Sequence, residues 1–151
     1  MTVAYVGLGA NVGPREVTLL RAVDLLAEAD DVQVLAVSQL RETDPVGVVE
    51  QPPFLNGAVQ IETSLVPRTL LELLLQTERS LGRVRAKRWG PRSVDLDLLV
   101  YGDEIVDEPG LRVPHARLSE RRFALEPLAE LDPDLVIPGL GRVSAALTAL
   151  D

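Results

Sequence analysis

The chain has 151 residues, of which 46% are hydrophobic and 25% are charged, as expected of one globular domain rather than a disordered chain. Its formal net charge of −8 argues against non-specific nucleic-acid binding, which needs a basic surface. It has no cysteine, which excludes disulfides and thiolate metal sites. The N-terminal stretch has no basic leader, and its run of apolar residues is too short to span a membrane, so we expect a cytoplasmic protein. We also expect a monomer that forms a single domain over residues 1–151.

Hydrophobic periodicity predicts an alternation of strands and helices along the chain. The predicted strands span residues 2–9, 32–43, 54–64 and 93–101, followed by a short pair of strands that ends near residue 115. The predicted helices span residues 15–28, 67–81 and 119–131, with a short last helix from residue 142. Pro14 and Pro67 introduce the first two helices, and Gly82 is the predicted end of the second. The order β-α-β-β-α-β predicts an α+β, ferredoxin-like fold, in which helices pack on an antiparallel sheet, with a C-terminal helical extension.

Basic residues are concentrated in one stretch of this acidic chain, residues 79–92. Six of the 15 lysines and arginines lie there: Arg79, Arg83, Arg85, Lys87, Arg88 and Arg92. Such a concentration favours a compact anionic ligand over a polyanion. A solvated helix end is the structural alternative, and most charge runs are of that kind.

Two aspartates follow the basic stretch inside a predicted strand. Asp95 and Asp97 are two residues apart, so their side chains point to the same face, with Cα atoms about 6.5–7 Å apart. Aspartate is unfavourable in strands and costly to bury unpaired. Mg²⁺ would explain the pair, because it binds one or two carboxylates together with waters and phosphates. A hydrated sheet face balanced by Arg88 or Arg92 explains it equally well, and the spacing alone leaves both interpretations open.

The glycines near the N-terminus do not complete a nucleotide-binding motif. Gly7, Gly9 and Gly13 lack the G-x-G-x-x-G spacing because Val12 occupies the third position, so a glycine turn between strand and helix is the better interpretation. There is also no G-x-x-x-x-G-K-[ST] motif in the chain. The two phenylalanines, Phe54 and Phe123, are explained by composition alone as core residues.

The arginines, the tryptophan and the aspartates together form a longer pattern. Arginine forks bind phosphate oxygens, and carboxylate-bound metals assist phosphoryl-type transfer. The run "RWGPRSVDLD" (88–97) matches R-W-G-P-R-x-x-D-x-D, the signature of the 6-hydroxymethyl-7,8-dihydropterin pyrophosphokinases of folate biosynthesis, which this chain resembles. The resemblance extends to flanking segments in the same order: "AYVGLGAN", "ETDPVG", "QPPFLNGAV", "VPHARL" and "RRFALEPLAEL".

The resemblance implies an enzyme that transfers pyrophosphate from ATP to the hydroxymethyl group of the reduced pterin and releases AMP. Two Mg²⁺ ions would be held by Asp95 and Asp97, and Arg83 and Arg92 would stabilise the transferring group. The implied ATP contacts are Glu78, Arg85, Trp89, Leu98, His115 and Arg121. The implied pterin contacts are Thr43, Val46, Phe54, Asn56 and Phe123, with the two rings enclosing the pterin.

Two other functions fit the same residues. A ferredoxin-like module could bind a nucleotide without turnover, although a pure binding module has no need of paired carboxylates beside arginines. A nucleotidyltransferase could use the same metal ions and would release pyrophosphate instead of AMP.

Overall fold

The structure, a computed structural model, describes residues 1–43, 53–85 and 94–151, the side chains of 83–85 excepted. Its strands are β1 (Thr2–Ala10), β2 (Val32–Val37), β3 (Arg41–Thr43), β4 (Phe54–Thr63), β5 (Asp95–Tyr101), β6 (Val106–Glu108), β7 (Leu111–Val113), β8 (Val136–Ile137) and β9 (Gly141–Arg142). Its helices are α1 (Arg15–Glu28), α2 (Pro67–Arg85), α3 (Arg122–Leu131) and α4 (Val143–Thr148). No helix in these ranges combines the length and apolarity needed to cross a bilayer.

The main sheet is antiparallel, and its strands lie in the order β2-β4-β1-β5, with β3 also paired to β4. The central strand β1 therefore has β4 on one side and β5 on the other. Within the described residues β5 pairs with β1 alone, so it forms one edge of the sheet. The predicted α+β class, an antiparallel sheet with helices packed on it, is confirmed.

Helices cover both faces of the sheet. On one face α1 and α2 pack against the sheet through fully buried leucines such as Leu19 and Leu74, α1 mainly on β1 and β2 and α2 mainly on β5. On the other face α3 and α4 pack through residues such as Leu125 against Tyr5 and Leu99. Each fully buried leucine stabilises the fold by about 1.5–3 kcal/mol relative to exposure. The alternation of side chains along β1 thus fixes which helices lie on which face.

The predicted strand over residues 32–43 is wrong as one element, because it is interrupted between β2 and β3. At the interruption Ser38 Oγ accepts a hydrogen bond from the Ala58 backbone N–H at 2.9 Å and donates one to the Gln39 carbonyl oxygen at 2.9 Å. The Leu40 side chain then lies over Gly57, where an added Cβ would come within 2.7 Å of it. The hydroxyl of Ser38, directly after β2, therefore replaces a backbone carbonyl oxygen as the acceptor for the Ala58 N–H on β4.

Two predicted helix bounds are also wrong. The second helix does not end at Gly82 but continues to Arg85. Gly82 is an exposed residue inside the helix. The third helix begins at Arg122 rather than at 119, because residues Leu118–Glu120 form a separate 3₁₀ turn. The bounds of α1 agree with the prediction.

Candidate active site

The floor of the site is formed by two glycines of β1, Gly7 and Gly9, which have no side chains. Gly9 lies opposite Asn56 on β4 and opposite Asp95 on β5, and Gly7 lies opposite Asp97. Residues directly opposite each other in an antiparallel sheet project to the same face, so the asparagine and the aspartates flank a bare glycine strip. Asn56 and Asp95 are two strand spacings apart, about 10 Å. The predicted strand over residues 2–9 therefore contains both glycines, and the predicted turn begins later than expected because β1 continues to Ala10.

A cavity of about 550 Å³ lies above this floor. Its walls come from β3, β4, β5 and the start of α3. The lining residues include Thr43, Phe54, Asn56, Asp95, Asp97, Leu99, Arg117, Glu120, Arg121 and Phe123. A space with two aromatic rings, an amide and two carboxylates suits a flat polar heterocycle that carries a reactive group at one end.

The polar groups of the β3 and β4 wall are held in place by one another. Thr43 pairs directly with Phe54 across the two strands. The Asn56 Nδ2 group donates a hydrogen bond to Thr43 Oγ1, and Asn56 is only 6% exposed. Its side-chain oxygen is directed toward Gly9, where an added Cβ would lie 3.1 Å from it. The amide is thus oriented before any ligand binds.

The opposite wall is carried by α3 and tied to β3. Glu130 accepts a hydrogen bond from Arg41 Nη2 at 2.6 Å and another from the Gln39 backbone N–H at 2.8 Å. At the other end of the helix the Arg121 guanidinium lies over the Phe123 ring, 5.6 Å from its centroid. This cation–π contact orients both side chains at the cavity.

The strand that carries the aspartates is fixed from α2. A carboxylate oxygen of Glu78 accepts a hydrogen bond from the Leu96 backbone N–H at 2.7 Å, between Asp95 and Asp97. That N–H points away from β1, toward the open edge of the sheet. Strand alternation gives the amide of Leu98 the same orientation. The edge of β5 therefore offers backbone groups to a ligand bound outside it.

A second cavity, of about 250 Å³, lies along this edge. It is lined by Leu71, Leu75, Glu78, Leu96, Asp97, Leu98, Gly110, Leu111, Arg112, His115 and Ala116. Its lining combines leucines with four polar or charged side chains: Glu78, Asp97, Arg112 and His115. Asp97 lines both cavities, so the two spaces meet at that carboxylate.

Neighbouring backbone groups orient the His115 ring, and burial favours its neutral form. Burial lowers its pKa from the ordinary value of 6.5, against the opposing effect of the nearby Asp97 charge. Its Nδ1 accepts a hydrogen bond from the Arg117 backbone N–H at 3.3 Å, and its own backbone N–H donates to the Leu99 carbonyl oxygen at 3.0 Å. In the neutral ring the proton therefore lies on Nε2, which is left as a hydrogen-bond donor.

The aspartates form a pair and not a closed metal cage. In the described ranges there is no group of three or more His, Cys, Asp or Glu residues that could hold a metal ion. Mg²⁺ does not require one, because it keeps several waters and binds through one or two carboxylates plus substrate phosphates. The oxygen donors of Asp95 and Asp97, on one face and at the junction of two cavities, fit this ion.

Most of the site residues predicted from the sequence meet at these two cavities. The larger one contains Thr43, Phe54, Asn56, Asp95, Asp97, Arg121 and Phe123, and the smaller one contains Glu78, Asp97, Leu98 and His115. Five predicted side chains lie outside the described residues: Val46, Arg83, Arg85, Trp89 and Arg92.

Sequence reasoning missed several lining residues. Gly7 and Gly9 could have been found from their spacing of two, which matches the spacing of the aspartates on a neighbouring strand. Arg117 lies two residues after His115, but no pattern distinguishes it from other exposed arginines. Leu71 and Leu75 lie on α2 with the ordinary spacing of a helix that packs on a core, and no signal marks them.

Comparison with known proteins identifies the class of protein to which this fold and these cavities belong. Residues 5–133 match the family model for 7,8-dihydro-6-hydroxymethylpterin-pyrophosphokinase (HPPK). The chain is 52% identical over 129 residues to a 2-amino-4-hydroxy-6-hydroxymethyldihydropteridine pyrophosphokinase of Bacillus subtilis, covering 85% of this chain and 77% of that one. It is 48% identical over 151 residues to the protein of the same name from Methylorubrum extorquens, covering 100% and 95%. The chain belongs to the HPPK family.

Solved structures agree with the fold. A Plasmodium falciparum HPPK-DHPS protein superposes with a TM-score of 0.75 at 15% identity over 99% of this chain. An HPPK-DHPS protein in complex with substrates superposes with a TM-score of 0.76 at 13% identity over 98% of this chain. The present chain covers 43% of each of these longer proteins. At such low identity the likeness concerns the fold alone.

Proposed function

We propose that this protein transfers pyrophosphate from ATP to the hydroxymethyl group of 6-hydroxymethyl-7,8-dihydropterin. The observation that carries the proposal is that Asp97 lines two cavities of different chemistry, one with two aromatic rings and an amide, the other with leucines together with Arg112 and His115. Two substrates bound in these cavities would present their reacting ends to the same carboxylate. Family membership supports the same reaction.

The larger cavity is the proposed pterin site. Phe54 and Phe123 would enclose the ring, and stacking of this kind adds about 0.5–1.5 kcal/mol to area burial. Asn56 offers an amide that is already oriented by Thr43 and can both donate to and accept from the pterin edge. Val46 is proposed to complete this site from outside the described residues. The hydroxymethyl group would then point toward Asp95 and Asp97.

The smaller cavity is the proposed nucleotide site. Its leucines suit the purine, and the Leu98 backbone at the sheet edge can hydrogen-bond the base. The Nε2–H of His115 would donate to the phosphates, and the guanidinium of Arg121 would do so from the larger cavity, with Arg85 and Trp89 proposed to join them. Glu78 serves this site by holding the strand on which Leu98 lies.

Asp95 and Asp97 are proposed to hold two Mg²⁺ ions. When bound, these ions would neutralise charge on the triphosphate and on the transferring group. The protein's side chains would supply the remaining charge stabilisation and the alignment of the substrates. Arg83 and Arg92 are proposed to stabilise the charge that develops during transfer, and the two cavity walls align the substrates.

In this reaction the hydroxymethyl oxygen attacks the β-phosphorus of ATP. The new bond joins that oxygen to the β-phosphorus, and the bond from the β-phosphorus to the α,β-bridging oxygen breaks. AMP departs with the bridging oxygen, and the hydroxyl proton is released. We propose that residues 1–151 act as one domain and that the monomer is the active unit.

Product analysis tests the proposal. The protein is incubated with ATP, Mg²⁺ and 6-hydroxymethyl-7,8-dihydropterin, and we expect AMP and the pterin diphosphate in equal amounts. The control substrate is 6-methyl-7,8-dihydropterin, which lacks the attacking oxygen and should give no AMP. Release of pyrophosphate would instead identify a nucleotidyltransferase, and unchanged ATP would identify a binding module. Omission of Mg²⁺ with a chelator present should abolish AMP formation.

A further inference from the structure

Arg15, the first residue of α1, joins the helix to the end of the β3–β4 hairpin. Its Nη1 donates to the Pro53 carbonyl oxygen at 2.7 Å, and its Nη2 donates to Glu42 Oε2 at 2.8 Å. Glu42 lies on β3 and Pro53 immediately precedes β4, so one guanidinium connects both strands of the hairpin. The Arg15 side chain is 27% exposed, which places the contact at the protein surface but not free in solvent.

Arg68, the second residue of α2, makes the same kind of contact with another hairpin. Its Nη2 donates to Glu108 Oε1 at 2.9 Å and to the Pro109 carbonyl oxygen at 3.0 Å. Glu108 ends β6, and Pro109 lies in the turn that leads to β7. Again one guanidinium binds a glutamate side chain and a proline carbonyl oxygen of a single hairpin.

The two contacts have a common origin in the sequence. Each arginine directly follows the proline that introduces its helix, in "GPREV" and in "VPRTL". A planar guanidinium with several donors can bind two acceptors at once, whereas a lysine ammonium acts as a single point charge. Because each arginine lies at the start of its helix, its guanidinium reaches two acceptors on one hairpin. We call each of these two-acceptor contacts a clamp.

Each clamped hairpin forms a wall of one cavity. The β3–β4 hairpin carries Thr43 and Phe54, which line the larger cavity. The β6–β7 hairpin carries Leu111 and Arg112, which line the smaller one. We propose that Arg15 and Arg68 are positioning residues, Arg15 for the pterin wall and Arg68 for the nucleotide wall. The assignment of substrates to the walls rests on the proposed function, whereas the clamping of the hairpins does not.

The first test is independent of any substrate. Amide hydrogen exchange is compared among the wild type, Arg15→Gln and Arg68→Gln. We expect Arg15→Gln to speed exchange at the β3–β4 pair about three- to tenfold and to leave β6–β7 unchanged, and the opposite for Arg68→Gln. Each variant is thus the matched control for the other. Unchanged exchange in both hairpins would overturn the proposal.

The second test measures KM for each of the two substrates separately. With Arg15→Gln we expect KM for the pterin to rise about three- to tenfold and KM for ATP and kcat to stay within about twofold. With Arg68→Gln we expect KM for ATP to rise instead. Arg15→Lys keeps the charge but lacks the two separate nitrogens that reach Pro53 and Glu42, so we expect it to resemble Arg15→Gln. Equal rises in both KM values together with lower thermal stability would overturn the positioning role.

The two tests separate this proposal from the proposed function. A reversed pattern of KM changes, with the expected exchange results, would support both clamps and overturn the assignment of substrates to cavities. A wild-type protein that released no AMP would overturn the proposed function, and the exchange test would still decide whether the clamps exist.

Discussion

Gly9→Ala tests whether the bare floor of the larger cavity fixes the position of Asn56. The added Cβ would lie 3.1 Å from Asn56 Oδ1, whereas an ordinary contact is 3.4–4 Å. The amide must therefore retreat by a few tenths of an ångström. Asn56 is 6% exposed and donates to Thr43 Oγ1, so its retreat stretches that hydrogen bond and turns the amide away from a bound pterin.

The expected magnitude follows from one weakened hydrogen bond. Such a bond contributes about 0.5–1.5 kcal/mol, which corresponds to a two- to tenfold weaker pterin affinity. Thermal stability should change little, since replacing a strand glycine by alanine gains about 0.5–1 kcal/mol of its own. The variant should therefore lose pterin affinity without losing the fold.

The assay compares KM for the pterin and KM for ATP in Gly9→Ala and in Gly82→Ala. Gly82 is the matched control because its added Cβ meets no heavy atom of the described residues within 4 Å. It lies inside α2, so we expect the control to gain up to about 1 kcal/mol of stability and to keep both KM values. A KM for the pterin within twofold of wild type in Gly9→Ala would refute the idea that the glycine floor fixes the position of the Asn56 side-chain amide.

Three further predictions concern single side chains. Asp97→Ala should lower turnover about a hundredfold or more at saturating Mg²⁺ while the protein stays folded; near wild-type turnover would contradict the metal role. Phe123→Ala should weaken pterin affinity by the stacking contribution of about 0.5–1.5 kcal/mol and by the lost area burial, with ATP affinity nearly unchanged, whereas equal weakening of both would indicate a core residue. Burial raises the pKa of Tyr5 above its ordinary value of 10.0, so unfolded chains lose a proton that the folded protein keeps, and stability should fall as pH rises past 10. Thermal denaturation between pH 9 and 11 should show a shallower fall for Tyr5→Phe, and equal slopes would be contrary evidence.

Local patterns in the sequence predict much of the fold. The bounds of α1 and the strand character of β5 follow from periodicity and from Pro14, because these signals are local. The aspartate pair is predictable for the same reason, since a spacing of two on a strand fixes a common face.

Features that depend on distant residues are not predictable in this way. The interruption after β2 depends on Ser38 and Ala58, which are 20 residues apart. The glycine floor depends on the register of β1 against β4 and β5, which sets Gly9 opposite both Asn56 and Asp95. The smaller cavity likewise exists only because α2, β5 and the β6–β7 hairpin converge at one edge of the sheet.

The edges of the sheet have a consequence for solubility. An open edge strand is a template for addition of a strand from another molecule, which leads to aggregation. Along β5 the Leu96 N–H is engaged by Glu78, and the Leu99 carbonyl oxygen is engaged by the His115 N–H. At the opposite edge, β2 has an irregular register between Val34 and Ala36, which disrupts a regular hydrogen-bonding edge. The groups that fix β5 beside the proposed nucleotide site therefore also make this edge a poor template for strand addition.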